Sequence, residues 1–132
     1  MTARLDRLKT RPDFLRVAAL RRKWAAPGLI LQAAPGTGTE SQADSLRVGF
    51  TVSKKVGNSV CRNRARRRLK AAVGEIFPDR AVPGLDYVVI GRRETLERPY
   101  SLLLQDLLAA LKRVGGLRAS PEVPSLDLRG EA

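Results

Sequence analysis

Three patterns in the chain predict an α+β fold, a single-domain two-layer α/β sandwich on a small mixed sheet. Leu46, Val48, Phe50 and Val52 alternate with Arg47, Gly49, Thr51 and Ser53, the period of two of a strand with one buried face. Two later segments carry a helical stripe: Ala65, Leu69, Ala72, Val73 and Ile76, then Leu103, Leu104, Leu107, Leu108, Leu111 and Val114. Residues 86–91 (DYVVIG) form a continuous apolar run, which suits a strand covered on both faces. The expected order is helix, three strands, helix, strand, helix (α-β-β-β-α-β-α).

Taken in order, residues 1–9 carry Arg4, Arg7 and Lys9 without periodicity and read as a basic arm ahead of one domain over 10–116. Thr10 with Asp13 resembles a capping box, and Pro12 is tolerated in a first turn, so a helix is expected over 11–20 with Phe14, Val17 and Ala18 on one face. A short strand over 24–26 stops at Pro27-Gly28, and a longer one follows over 29–33. Trp24, the only tryptophan, fits core packing better than an exposed stacking role. Residues 35–45 are Gly, Thr, Ser, Gln and Asp in the main and read as a mobile hairpin loop.

After the 46–53 strand the chain turns at Gly57-Asn58, and Asn58 or Ser59 can cap a second helix. Pro78 is expected to end that helix, and Pro83-Gly84 to turn the chain into the apolar strand. Pro99 starts a third helix, which Gly115-Gly116 terminates. The tail over 117–132, with Pro121 and Pro124, reads as disordered.

With 132 residues and 43% hydrophobic content the chain can bury one modest core. Its formal net charge of +12 points to a nucleic-acid partner or, as a second choice, an anionic membrane surface. No apolar run approaches the roughly 18 residues that span a bilayer, and the N-terminus has no signal-peptide core, so a cytoplasmic protein is expected. The chain has one cysteine, Cys61, and no histidine, which removes an internal disulfide and the commonest acid/base group and metal ligand.

The positive charge is concentrated: between Lys54 and Lys70 there are eight basic residues and no acidic one. On a helix, Arg62, Asn63, Arg66, Arg67 and Lys70 share a face beside the apolar stripe, with Arg64 and Arg68 on the far side. The like-charged neighbours Arg62/Arg66, Arg66/Lys70, Arg64/Arg68, Arg64/Arg67 and Arg67/Lys70 cost roughly 1 to 2.5 kcal/mol in sum. Arg62 and Arg64 also stand at the positive end of the helix dipole. A helix that needed only to be soluble would intersperse glutamates. This one is built to meet a polyanion.

The same survey finds no catalytic apparatus. The carboxylates are scattered, so the convergent set needed by a two-metal nuclease cannot be assembled. Lys54-Lys55-Val56-Gly57-Asn58 lacks the spacing of a phosphate-binding loop. The residues describe a binder.

Residues 47–70, RVGFTVSKKVGNSVCRNRARRRLK, closely resemble the signature of the protein subunit of bacterial ribonuclease P, with its Arg-Asn-Arg motif at Arg62, Asn63 and Arg64. A weaker likeness runs from Arg4 to about Val114. The resemblance implies a ribosomal-protein-like fold with a left-handed β-α-β crossover, and a subunit of an enzyme whose catalyst is RNA. That enzyme removes the 5′ leader of precursor tRNA, using magnesium in the RNA active site and no cofactor held by the protein. It further implies that Arg62, Asn63, Arg64, Arg66, Arg67, Arg68 and Lys70 dock on the catalytic RNA. Phe14, Arg47, Thr51, Ser53, Lys54 and Lys55 would bind the single-stranded leader, in a complex of one protein and one RNA. The chain departs from the family pattern at Ala18 and Gln32, where aromatic residues are common. A ribosomal structural protein of the same fold would explain charge and size but not the 47–70 string, and a DNA-binding module would require a helix-turn-helix pair.

Overall fold

Five strands and three helices make up the computed structural model, which describes residues 4–8, 11–19, 22–35, 45–82 and 85–116. The strands are β1 (Arg4–Arg7), β2 (Lys23–Ala25), β3 (Leu29–Pro35), β4 (Ser45–Thr51) and β5 (Leu85–Gly91). The helices are α1 (Arg11–Ala19), α2 (Ser59–Arg80) and α3 (Tyr100–Arg113), with short 3-10 turns at Lys54–Val56 and Arg93–Leu96. The sheet order is β1-β4-β5-β3-β2. β1, β4 and β5 run parallel, whereas β3 is antiparallel to β5 and β2 to β3, so the sheet is mixed as expected.

Alternation along the central strands splits the interior into two clusters. Leu29, Leu31 and Ala33, Leu46 and Val48, and Tyr87 and Val89 face one way, against Ala65, Leu69, Val73 and Phe77 of α2 and Leu103, Leu107 and Leu111 of α3. The Phe77 ring meets Tyr87 edge-on at 5.0 Å, an aromatic pair at the centre of this layer. On the opposite face Leu8, Val17, Ala34 and Val88 form a smaller cluster, on which Phe14 packs. Because α1 covers that second face, the sandwich carries a short third layer.

Several local expectations hold. Asn58 caps α2, its side-chain oxygen accepting from the Cys61 amide at 2.9 Å. α3 ends as the glycine pair dictates: Gly115 adopts φ +80, its N–H reaches the Lys112 carbonyl, and the Gly116 N–H reaches that of Leu111 at 2.8 Å. Asp106 of α3 is buried, yet it accepts from the Gly28 amide and from two nitrogens of Arg98, so its charge is fully engaged.

Two expectations are corrected. Arg4–Arg7, within the segment read as an arm, is a strand paired in parallel with Ser45–Val48 of β4. It is a four-residue edge strand, held by ladder hydrogen bonds to a partner about forty residues away, and its charged sequence carries no alternation. Pro78 does not end α2, which runs on to Arg80. Proline removes the hydrogen bond to Gly74, but Gly74 is exposed with open space around its α-carbon, so its carbonyl can turn to water. The capping residue Thr10, the 36–44 part of the hairpin loop and the 117–132 tail lie outside the described residues.

Candidate nucleic-acid interface

The basic helix is presented by a junction that depends on a glycine. β4 ends at Thr51, the Lys54–Val56 turn reverses the chain, and Gly57 follows at φ +148, a conformation that side chains rarely adopt. A Cβ at Gly57 would lie 2.9 Å from the Cys61 Cβ, so the start of α2 also requires glycine for space. Cys61 is half-buried in this turn, consistent with a small packing residue.

From there Ala65, Leu69, Ala72, Val73 and Phe77 fix the rotation of α2 by their burial. Asn63, Arg64, Arg67 and Lys70 are left exposed, with Arg62 and Arg66 half-buried beside them. Arg66 donates to the Asn63 side-chain oxygen at 3.1 Å, and the Lys70 ammonium sits 5.9 Å from the centre of the Phe50 ring. Among the described residues no carboxylate forms an ion pair with Arg62, Arg64, Arg66, Arg67 or Lys70. The repulsion along the helix is therefore uncompensated within this part of the chain. Arg68 differs from its neighbours: its guanidinium donates to the Arg98 carbonyl just before α3, so it ties α2 to α3.

The second group of expected residues divides in the same way. Along the α1-facing side of β4, Arg47 makes a two-point ion pair with Asp86, both nitrogens at 3.0 Å, and the Arg16 guanidinium closes on the same carboxylate from α1. Asp86 is only 2% exposed, so Arg47 and Arg16 act first as its counter-charges and pin α1 to the sheet. Two residues further, Gly49 lies directly beneath Phe14. Beyond that contact Thr51, Ser53, Lys54 and Lys55 are exposed, with the Lys55 carbonyl held by Arg93 at 2.9 Å. A cleft lined by Arg7, Leu8, Phe14 and Phe50 opens at the Phe14 contact, and of the six residues expected to bind a leader Phe14 alone lines it. Arg7, Leu8 and Phe50 were not singled out from the sequence as cleft residues. Phe50 belongs to the apolar set of the alternation, and that pattern gives no hint that β1 ends beside it.

Ala18 is exposed and Gln32 is half-buried on the α1 side of β3, so Phe14 is the aromatic presented to this cleft by the described part of α1. Among the described residues no group of cysteine and carboxylate side chains could hold a metal ion. No helix among them is long and apolar enough to cross a membrane.

The family model described as Ribonuclease P matches residues 2–115. The ribonuclease P protein component of Paramagnetospirillum magneticum is 84% identical over 127 residues, covering 96% of each chain. That of Gluconacetobacter diazotrophicus is 45% identical over 115 residues, or 87% of this chain and 96% of its own. The solved structure of the Staphylococcus aureus RNase P protein superposes with a TM-score of 0.68 at 23% identity, covering 85% of this chain and 97% of its own. The chain thus belongs to the ribonuclease P family as a bacterial protein component.

Proposed function

We propose that this chain is the protein subunit of an RNA-catalysed endoribonuclease that removes the 5′ leader of precursor tRNA, and that its part in the reaction is to bind RNA. The single observation that carries the reading is the exposed face of α2, where Arg62, Arg64, Arg66, Arg67 and Lys70 find no carboxylate partner among the described residues. Phosphates of a folded RNA supply the missing counter-charge, and released counterions make the binding favourable. Asn63 adds a neutral donor and acceptor within that face. Arg68 contributes through position, since its guanidinium already holds the start of α3.

In this reading the cleft beside Phe14, continued by Thr51, Ser53, Lys54 and Lys55, receives the single-stranded leader. Phe14 stacks on one base, a contact worth roughly 1 to 3 kcal/mol without sequence preference, and the two lysines follow the backbone. Arg47 supports the cleft from beneath by holding Asp86. Hydrolysis of the phosphodiester and the magnesium that assists it are assigned to the RNA. The protein works in the cytoplasm as a monomer in a one-protein, one-RNA complex.

The test is reconstitution. A bacterial ribonuclease P RNA and a precursor tRNA are mixed at low magnesium with the wild-type chain or with Arg66→Glu/Arg67→Glu. The wild type is expected to restore 5′ leader release and the charge-reversed variant to fail while remaining folded by circular dichroism. Equal rescue by both would refute the role given to α2.

A further inference from the structure

The sole tryptophan, expected in the core, stands at the other edge of the sheet. β2 is the edge strand, its residues Lys23, Trp24 and Ala25 are all exposed, and Trp24 keeps 38% of its surface open. Trp24 pairs with Leu31, so its ring lies on the helical side of the sheet, where the Arg113 guanidinium covers it 4.7 Å from the ring centre. Lys112, exposed beside Arg113 at the end of α3, adds a second positive charge, and neither forms an ion pair with a described carboxylate; Arg22, just before β2, donates to the Val114 carbonyl, and Lys23, paired with Gln32, points to the α1 side.

α3 itself carries no exposed carboxylate: ahead of its last turn the exposed positions are Tyr100, Ser101, Gln105 and Ala109, and its one carboxylate, Asp106, is buried against Arg98. On the α2 side the exposed Glu75 accepts from the Tyr100 hydroxyl at 3.1 Å. β2 lies three strands from β4, about 14 Å across the sheet, so this corner is separate from the proposed leader cleft. It also faces the other way, toward the side on which α2 and α3 pack.

We infer that Trp24 with Arg113 forms a second RNA contact, a stacking platform for one unpaired nucleotide of the same catalytic RNA that docks on α2. This rests on the RNA-binding reading of α2. A polyanion matches the exposed cations Lys112 and Arg113 beside a partly open aromatic ring, and a base can stack on the open part of the indole while its flanking phosphates meet Arg113 and Lys112. The catalytic RNA is chosen over the leader because the platform shares the helical side with α2.

With a single tryptophan in the full chain, its emission reports this corner alone. The full-length protein is titrated with a bacterial ribonuclease P RNA while emission and affinity are followed together, for the wild type, Trp24→Ala, Trp24→Phe, Arg113→Gln and Arg66→Glu/Arg67→Glu. Quenching of wild-type emission on binding is expected. Trp24→Ala should weaken affinity at least about fivefold, Trp24→Phe should recover most of that loss, and Arg113→Gln should weaken binding and lower its salt dependence. Should Trp24→Ala fold poorly, the wild-type emission and the Arg113→Gln affinity still decide. Unchanged wild-type emission at saturation, with affinity lost only in the Arg66→Glu/Arg67→Glu variant, would overturn this inference and leave the α2 reading standing. Self-association abolished by Trp24→Ala without loss of RNA affinity would assign the corner to a second copy of the chain and overturn it too. A wild type that does not bind the RNA would refute the α2 reading itself.

Discussion

Replacing Gly49 with alanine tests how α1 is seated and, through it, the cleft. A Cβ at this position would come within 2.6 Å of Phe14 Cε2 and 3.2 Å of Leu8 Cβ. Ordinary contact begins near 3.4 Å, so the Phe14 ring edge must retreat by most of an ångström. The ring is only half-buried and α1 is nine residues long, held by Val17, by Phe14 itself and by the Arg16 pair with Asp86. The relief is therefore a swing of the ring or a small lift of α1, and overpacking of this kind costs about 1 to 3 kcal/mol. Urea denaturation at constant slope should show a loss in that range. The double variant Gly49→Ala/Phe14→Ala should be no less stable than Phe14→Ala alone, because the clash and its victim are removed together. If the cleft receives the leader, Gly49→Ala should also weaken binding of a precursor tRNA more than that of leaderless tRNA. Wild-type stability in Gly49→Ala, or additive losses in the double variant, would refute the packing argument.

Two further outcomes follow from the same interior. Gly57→Ala should lower stability by about 1 to 3 kcal/mol in urea, since it combines a rare backbone conformation with a contact on Cys61; an unchanged midpoint would show that the turn can be remade. Burial strips water from the Tyr87 hydroxyl and disfavours its anion, which pushes it above its ordinary value of 10.0, although the hydroxyl also donates to the Val82 carbonyl at 2.8 Å. The unfolded chain gives up that proton above about pH 10, so the contribution is complete below that pH and declines as the pH rises through it. Tyr87→Phe should remove this part of the alkaline loss, measured as denaturation midpoints on either side of pH 10.

What the sequence made legible was what is local and periodic. The alternation over 46–53 placed Leu46 and Val48 in the core, and the stripe on α2 placed Leu69 and Val73 there, because burial of one face leaves a trace in the spacing. Asn58 and Gly115 were legible for the same reason, as each answers to the backbone within a few residues. The long-range partners were not. Nothing in the run around Asp86 says that Arg16 and Arg47, 70 and 39 residues away, converge on its carboxylate, so Arg47 looked like a free cation. β1 exists through its ladder to β4, which a short charged strand cannot announce. Trp24 was misjudged because apolar character alone does not distinguish a covered strand from an edge. Of the basic residues, composition located the cluster on α2, and only packing could reveal that Arg68 turns inward to Arg98.

The central claim is that RNA phosphates complete the charge of α2, and salt dependence of binding to ribonuclease P RNA measures it most directly. For the wild-type chain the logarithm of affinity should fall steeply with the logarithm of salt concentration, by roughly 0.7 to 0.9 per neutralised phosphate. Arg66→Gln/Arg67→Gln should make that slope shallower by about 1.4 to 1.8 if each arginine meets one phosphate. A slope near zero, or one that the double substitution leaves unchanged, would contradict the account.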